Sequence, residues 1–447
     1  MKSKTMTEGA SWKHILRFAL PVLAGAVLQQ LYNTVDAIIV GNFAGEASLS
    51  AIGTTGSFVF FFLAFAMGLS SGNGVVIAQH YGADDRKMVR ENASTGMILL
   101  VGAGIIFAIL GILIARPAYQ FLIHVPADII DKTVLYFRIY AVGLIFQFAY
   151  NSFAAILRSI GDSAATLYFL LIASLMNIGL DLLFVAVFHW DVAGAAVATV
   201  ISQLASCIAA YLYMTKKYPI FRFKLREFTW NKMHALKTVK VGFPIALQLM
   251  IVSIGITAIQ RAVNEFGQSM MASYTAGHRI EMYLGLPPNA FMTTMATYTG
   301  QNIGAGKMER VRTGVWQSVL FSFSMTLVFS AIVFFFSNSI AGLFGLSDQA
   351  LEYCRAHLQT IAFINIILSL YIPLFGLFQG ANHSGFPTIV ASVALGVRVL
   401  VTYLFRYSDF LGYSVIWWNG VFGFSMGFLV SWIYYLSGRW KKNVSLR

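Results

Sequence analysis

Charge is scarce in this chain of 447 residues. Only 11% are Asp, Glu, Lys or Arg, against roughly 25% in an ordinary soluble domain. That shortage excludes a water-exposed globular protein of this length, because too few charged side chains exist to cover its surface. Cysteine is scarcer still: Cys207 and Cys354 fall in separate apolar stretches, which excludes a disulfide framework and a thiolate metal site. The alternating apolar and polar pattern of barrel strands is also missing, so helices are left as the element able to cross a bilayer.

What is present is apolar. The chain is 58% hydrophobic with 38 phenylalanines and a mean hydropathy of +0.71. Twelve apolar stretches predict membrane-spanning helices, near 14–40, 51–78, 92–114, 131–157, 164–188, 193–214, 238–263, 270–299, 313–336, 350–379, 387–406 and 414–437. A span needs roughly 20 residues. The first is not a cleavable leader: it is too long, carries Gln29, Gln30, Asn33 and Asp36, and lacks a small-residue cleavage site.

Most of the 31 Lys and Arg side chains fall at the termini and in every second loop, whereas the alternate loops hold only Arg116, Lys132 and Arg406. By the positive-inside rule both termini are expected in the cytoplasm, here that of a bacterial cell with a multi-pass protein in its plasma membrane. The net charge of +13 then reads as a basic face against anionic lipid, and no nucleic-acid partner is expected.

The chain is also written twice. Pro21, Gln79-x-x-Gly82-Ala83 and Val89-Arg90 recur as Pro244, Gln301-x-x-Gly304-Ala305 and Val311-Arg312, at an offset of 222 or 223 residues. A third pair of turns, Arg158-Ser-Ile-Gly161-Asp162-Ser163 and Gln379-Gly380-Ala381-Asn382-His383-Ser384, follows at 221. Six spans per copy is an even number, so both copies enter from the same side. The expected architecture is an all-α integral membrane protein, two six-helix lobes in a parallel pseudo-two-fold repeat around a central cavity, as in many transporters. The lobes would be residues 1–214 and 237–447, joined by a basic cytoplasmic linker over 215–236.

These features carry a resemblance. Twelve spans as six plus six, the doubled Gln-x-x-Gly-Ala turn, Arg158-x-x-Gly161-Asp162 after span 4, Asn177-Ile-Gly-Leu-Asp181 in span 5 and Asp36 in span 1 together resemble the multidrug and toxin extrusion (MATE) transporters, on the side of their proton-coupled prokaryotic branch. The chain departs at Thr166, where many relatives have proline; Pro387 keeps it in the second copy. The resemblance implies an antiporter, not an enzyme, that exports amphipathic, often cationic organic compounds in exchange for H⁺, with no cofactor and acting as a monomer.

Ionisable side chains at membrane depth are costly and mark function. At 1.5 Å rise per residue, Asp36 lies roughly 33 Å into span 1 and Asp181 about 25 Å into span 5, both in the outer half. Thr199 of span 6 reaches the same level. Asn177 and Asp181 share a helix face at i, i+4, and Gln29, Asn33 and Asp36 form a stripe at i, i+4, i+7. Asp36, Asn177, Asp181, Thr199 and Asn33 are therefore the predicted coupling site. Carboxyl groups removed from water favour the neutral form, and two close together titrate as a pair. The same oxygen-only set suits a hard cation, so H⁺ and Na⁺ both fit, and no other metal is expected; the resemblance favours H⁺. Offsets of 223 and 221 take Asp36 to Ile259 and Asp181 to Thr402, so the second lobe does not copy the site.

The second lobe brings Glu281 of span 8 and Arg398 of span 11 near mid-depth, read either as a structural ion pair or as a substrate or second charge site; Gln29 and Asn151 are further candidates for substrate contact. Arg261 and Glu265 are expected to pair at i, i+4. Pro21, Pro244 and Pro287 are candidate helix hinges, because proline removes a backbone hydrogen bond. Gly68-Leu-Ser70-Ser-Gly72 matches the serine-hydrolase G-x-S-x-G pattern but lacks its strand–turn–helix setting; small residues there are expected to allow close helix contact. A lipid or lipid-linked oligosaccharide flippase of the same superfamily is the alternative reading. It would call for more spans and a more basic cavity.

Overall fold

The structure is a computed structural model and describes residues 5–409 and 411–441. Among these the regular elements are all helical. The first copy forms α1 (Ser11–Phe43), α2 (Glu46–Gly82), α3 (Arg86–Pro117), α4 (Ile130–Ser159), α5 (Ser163–Asp181) and α6 (Asp191–Lys217). The second forms α7 (Lys232–Asn264), α8 (Gln268–Leu284), α9 (Leu286–Gly304), α10 (Met308–Phe335), α11 (Ser337–Gly342), α12 (Asp348–Ser369), α13 (Ile372–Gly380), α14 (Gly385–Phe405) and α15 (Val415–Leu436).

Eleven helical segments among the described residues are long and apolar enough to span a membrane. The twelfth expected span, 270–299, is divided into α8 and α9 at Gly285. Pro287 and Pro288 open α9. Neither has an N–H to give the carbonyls of Tyr283 and Leu284, so the upstream helix ends there. The first-copy counterpart α2 carries Phe65 and Ala66 at those positions and runs unbroken for 37 residues. A second break, at Leu370–Tyr371 ahead of Pro373, separates α12 from α13. By contrast α1 continues through Pro21 and α7 through Pro244. Of the three candidate hinges, only Pro287 stands at a helix end.

The turns repeat in geometry as well as in sequence. Ala83 N–H donates to Gln79 O and Ala305 N–H to Gln301 O, each at 3.0 Å. The next residue, Asp84 in one copy and its equivalent Gly306 in the other, adopts the left-handed conformation, with φ of 58° and 70°. Gly45 and Gly267, in Asn42-x-x-Gly45 and Asn264-x-x-Gly267, form one more doubled left-handed turn, at φ 83° and 89°, which the sequence reading missed.

The chain resolves into two compact units whose boundaries differ from the expected 214 and 237. The first unit contains Leu20–Ala246; the second contains Met6–Ala19 and the chain from Leu247 onward. Each copy's first helix thus begins in the unit of the other copy and changes unit within three residues of its proline, Pro21 or Pro244. The beginnings are tied down. Met6 N–H donates to Gln301 Oε1 at 2.8 Å, Arg310 donates to the carbonyls of Gly9 and Met6, and Tyr298 Oη donates to Ser11 Oγ at 2.7 Å. The linker is likewise no free tether: α6 extends to Lys217 and α7 starts at Lys232. What lies between folds onto the first unit, with Phe221 fully buried and Arg90 bound to the carbonyls of Ile220 and Arg222 and to Glu227.

Packing within the first unit is aromatic at one level and small-residue at another. Phe58 and Phe62 lie against Tyr119, Phe107 and Phe137 at centroid distances of 5.1–6.0 Å. Lipid is as apolar as these side chains, so their contribution is close packing rather than escape from water. At Gly68 and Gly72 the backbones of α2 and α7 nearly touch. A Cβ at Gly72 would stand 2.5 Å from Thr238 O and 2.6 Å from Gly242 N. Ser70, in the middle of α2, is buried and donates to Met67 O, so the G-x-S-x-G match is a helix contact.

Asp162 shows how a turn motif is held. Its carboxylate accepts from Ala165 N–H at the start of α5. It also accepts from Lys217 Nζ at 2.9 Å, Tyr218 Oη at 2.7 Å and Tyr213 Oη at 3.0 Å. Burial pushes its pKa up, but the bonds from Lys217 and Tyr218 outweigh that and hold it below the ordinary carboxylate range. A depressed folded-state value contributes stability above the unfolded-state pKa, about 3.9, and loses it as pH falls through the folded value.

Two outcomes follow. Gly72→Leu should abolish recovery of monodisperse protein in detergent, whereas Gly53→Leu, which meets nothing within 4 Å, should purify normally by size exclusion. Asp162→Asn should lower the thermal unfolding midpoint at pH 7, with the gap to wild type closing as pH is brought toward 3.

Candidate functional site

Three helices of the first unit converge on one cluster of oxygen atoms. Asp181 closes the α-helical part of α5 and is fully buried; Asn177, one turn earlier, is 1% exposed, and Thr199 of α6 is 6% exposed. Asp36 of α1 is half-buried. Asn177 Nδ2 donates to Thr199 Oγ1 at 3.5 Å, while Thr199 Oγ1 donates to Ala195 O at 3.0 Å. Asp36 and Asp181 lie close enough for their carboxyl groups to interact directly. Just beyond Asp181 the helix widens into a π-helical stretch, Leu182–Val187, a distortion often found at functional sites.

The cluster holds several acceptors that lack a donor. Among the described residues no donor reaches Asp36 Oδ1, Asp181 Oδ1, Asp181 Oδ2 or Asn177 Oδ1, all of which are buried. A buried oxygen left without a hydrogen costs about 1–3 kcal/mol, and more if charged. Such a group of oxygens is stabilised only by something positive or by water: a proton on a carboxyl, a small hard cation, or both in turn. Asp36 and Asp181 cannot both ionise cheaply at this range.

The structure also gathers side chains the sequence reading left out. Tyr32 of α1 and Tyr136 of α4 lie within electrostatic range of both acids. Tyr136 stacks on Tyr140 with centroids 6.2 Å apart, and Gln203 of α6 lies against Tyr140. Gly143 makes room for that glutamine, since a Cβ there would stand 2.5 Å from Gln203 Oε1. The available signal was the i, i+4 spacing of Tyr136 and Tyr140 at the depth of Asp181. Asn33 and Gln29 stand on α1 but are exposed, and no hydrogen bond among the described residues ties them to the acids. Asn151 is half-buried and donates to Gln147 O of its own helix at 2.8 Å.

In the second unit the equivalents Ile259 and Thr402 are fully buried, and Ile259 belongs to an apolar cluster with Trp417. Glu281 does not form the expected ion pair with Arg398. It meets His278 Nδ1 at 3.1 Å, while Arg398 Nε donates to Asn419 Oδ1 at 2.8 Å and its guanidinium lies over Phe424 at 4.9 Å. His278, Tyr274, His357 and Trp417 form a stacked column, with successive centroids 5.9, 5.4 and 5.5 Å apart. Gly277 admits the His357 ring, as a Cβ there would be 2.2 Å from Nδ1. Arg261 and Glu265 do not pair either: Glu265 binds Arg406 at 2.8 Å and Tyr407 Oη at 2.8 Å.

The chain as a whole is similar to known proteins. The MatE family profile matches residues 21–183 and 244–404, one match per copy. "Probable multidrug resistance protein YpnP" of Bacillus subtilis is 29% identical over 99% of this chain and 98% of its own length. A protein named "FAD transporter" from Shewanella oneidensis is 23% identical over 87% and 86%. The solved structure titled "Outward-facing conformation of a multidrug resistance MATE family transporter of the MOP superfamily" superposes with a TM-score of 0.91 at 24% identity, covering 99% of this chain and 98% of that one.

The His278–Glu281 contact is testable by itself. A double-mutant cycle of His278→Gln and Glu281→Gln, read as thermal unfolding in detergent, should give a coupling of about 1–3 kcal/mol. Additive effects would show that the contact contributes nothing.

Proposed function

Since the chain belongs to the MatE family of multi-pass membrane transporters, we propose that it is a secondary active exporter. It carries amphipathic, often cationic organic compounds outward in exchange for H⁺, from a bacterial plasma membrane with both termini in the cytoplasm. The observation that carries this reading is the set of buried acceptors on Asp36, Asp181 and Asn177 that no protein donor reaches. A proton binding there replaces a missing donor and removes a charge at once, so the site has a strong reason to exchange protons.

Coupling requires that the ion bind two conformations unequally. Asp36 is carried by α1, and Asp181 with Asn177 by α5, so any bend of α1 changes the spacing of the two carboxyl groups and with it their shared affinity for a proton. Pro21 leaves the carbonyl of Arg17 without its usual intrahelical partner and lowers the cost of such a bend. Protonation of Asp36 is the proposed trigger, and alternating exposure of the substrate to the two sides of the membrane the proposed result. Thr199 contributes through Asn177, whose amide it orients. Na⁺ is the rival ion, since the donor set is entirely oxygen.

The deciding experiment uses purified protein in liposomes and a fluorescent organic cation. Export should follow an imposed pH gradient and fall at least tenfold in Asp36→Asn and in Asp181→Asn, with both variants eluting as folded protein. Export that follows a Na⁺ gradient would retain the site and replace the ion. Export under neither gradient would reject the drug antiporter and direct attention to lipid substrates.

A further inference from the structure

One arginine of the first unit has no protein partner and stands beside an apolar groove. Arg138 of α4 is exposed, and among the described residues no hydrogen bond or ion pair reaches it. Depth makes this costly. The helix is 30 residues long, about 45 Å, of which roughly 30 Å lies in hydrocarbon. Arg138 is eight residues from Ile130, about 12 Å from the helix start. Its Cα therefore lies just inside the hydrocarbon edge, and the guanidinium can extend back to the headgroup level.

Two acids at this end of the helices are already engaged. Asp131, at the start of α4, pairs with Arg116 at 3.1 Å. Asp191, at the start of α6, pairs with Lys132 at 2.6 Å and accepts from Ser48 Oγ. What Arg138 faces instead is a groove of about 320 Å³ lined by Ile112 of α3, Ile139 and Val142 of α4, and Val197, Val200 and Ile201 of α6. That is a cation at headgroup level over a channel of branched aliphatic side chains, on a helix surface turned away from the protein core.

We propose that this groove is a binding site for a single glycerophospholipid, its phosphodiester on the Arg138 guanidinium and an acyl chain along Val142, Val197 and Val200. The guanidinium presents paired N–H donors that match phosphate geometry. A phosphate supplies the negative charge that the protein withholds, and the apolar lining accepts only a chain without polar atoms. The volume is at the lower end of ordinary ligand sites, suited to one chain. The site is independent of the transported compound and of the coupling ion.

Native mass spectrometry of the full-length protein, titrated with phosphatidylglycerol, phosphatidylethanolamine or diacylglycerol of identical chains, tests it. Both phospholipids should occupy one tightest site and diacylglycerol should not. Arg138→Gln should weaken phospholipid binding about fivefold, the effect of one basic residue at a membrane surface. Arg138→Lys, which keeps the charge but not the paired donors, should lose less affinity than Arg138→Gln, and Val200→Trp, which fills the groove but keeps the arginine, should lose it. Equal binding by wild type and Arg138→Gln, or diacylglycerol held as well as phospholipid, would overturn the proposal. Normal elution of Arg138→Lys and Arg138→Gln alike would show that any loss is not misfolding.

Discussion

An oxygen buried in an apolar protein must be given a hydrogen, and this chain withholds one where it matters. Two half-buried charged groups elsewhere are closely provided for: Asp162 has four donors, and Arg90 has three acceptors. Against that background the bare acceptors of Asp36, Asp181 and Asn177 are a local imbalance. The surrounding helices are arranged to hold it. Asp181 is fixed by α5, Thr199 is locked by its own helix, and Tyr32 and Tyr136 close in from α1 and α4.

The duplication explains why the pair of buried acids occurs in one copy. Both copies share turns at the same offsets and the same left-handed positions, so the scaffold is common. The residues placed on it have diverged. Where the first copy has Asp36 and Asp181, the second has Ile259 and Thr402, buried among apolar neighbours. Where the first has the unbroken α2, the second has Pro287 and Pro288 and a divided helix. The second copy gains instead a column of His278, Tyr274, His357 and Trp417, with Glu281 on its first ring. The two copies have specialised in different polar chemistry on one frame.

Depth along a helix was legible in the sequence; direction around it was not. Counting residues put Asp36, Asp181 and Thr199 at one level, and the structure brings their side chains together. The same counting put Glu281 and Arg398 at one level, yet each turns to another partner, because equal depth on α8 and α14 says nothing about the angle between their side chains. His278, three residues before Glu281, was the local partner that helical geometry offered. Tyr32 stayed hidden because a lone aromatic residue in an apolar span carries no distinguishing pattern, whereas Tyr136 could have been found by its i, i+4 spacing from Tyr140. The eighth span was misjudged in continuity only, since hydropathy does not register a missing N–H.

The exchange of helix beginnings between the units also sets an order in time. Met6 and Gln301 are separated by 295 residues, yet they share a hydrogen bond, and Arg310 and Tyr298 complete the same anchorage. A ribosome makes the start of α1 long before any of these partners exists. The segment from Met6 to Ser11 must therefore stay undocked until the chain has been made through Arg310.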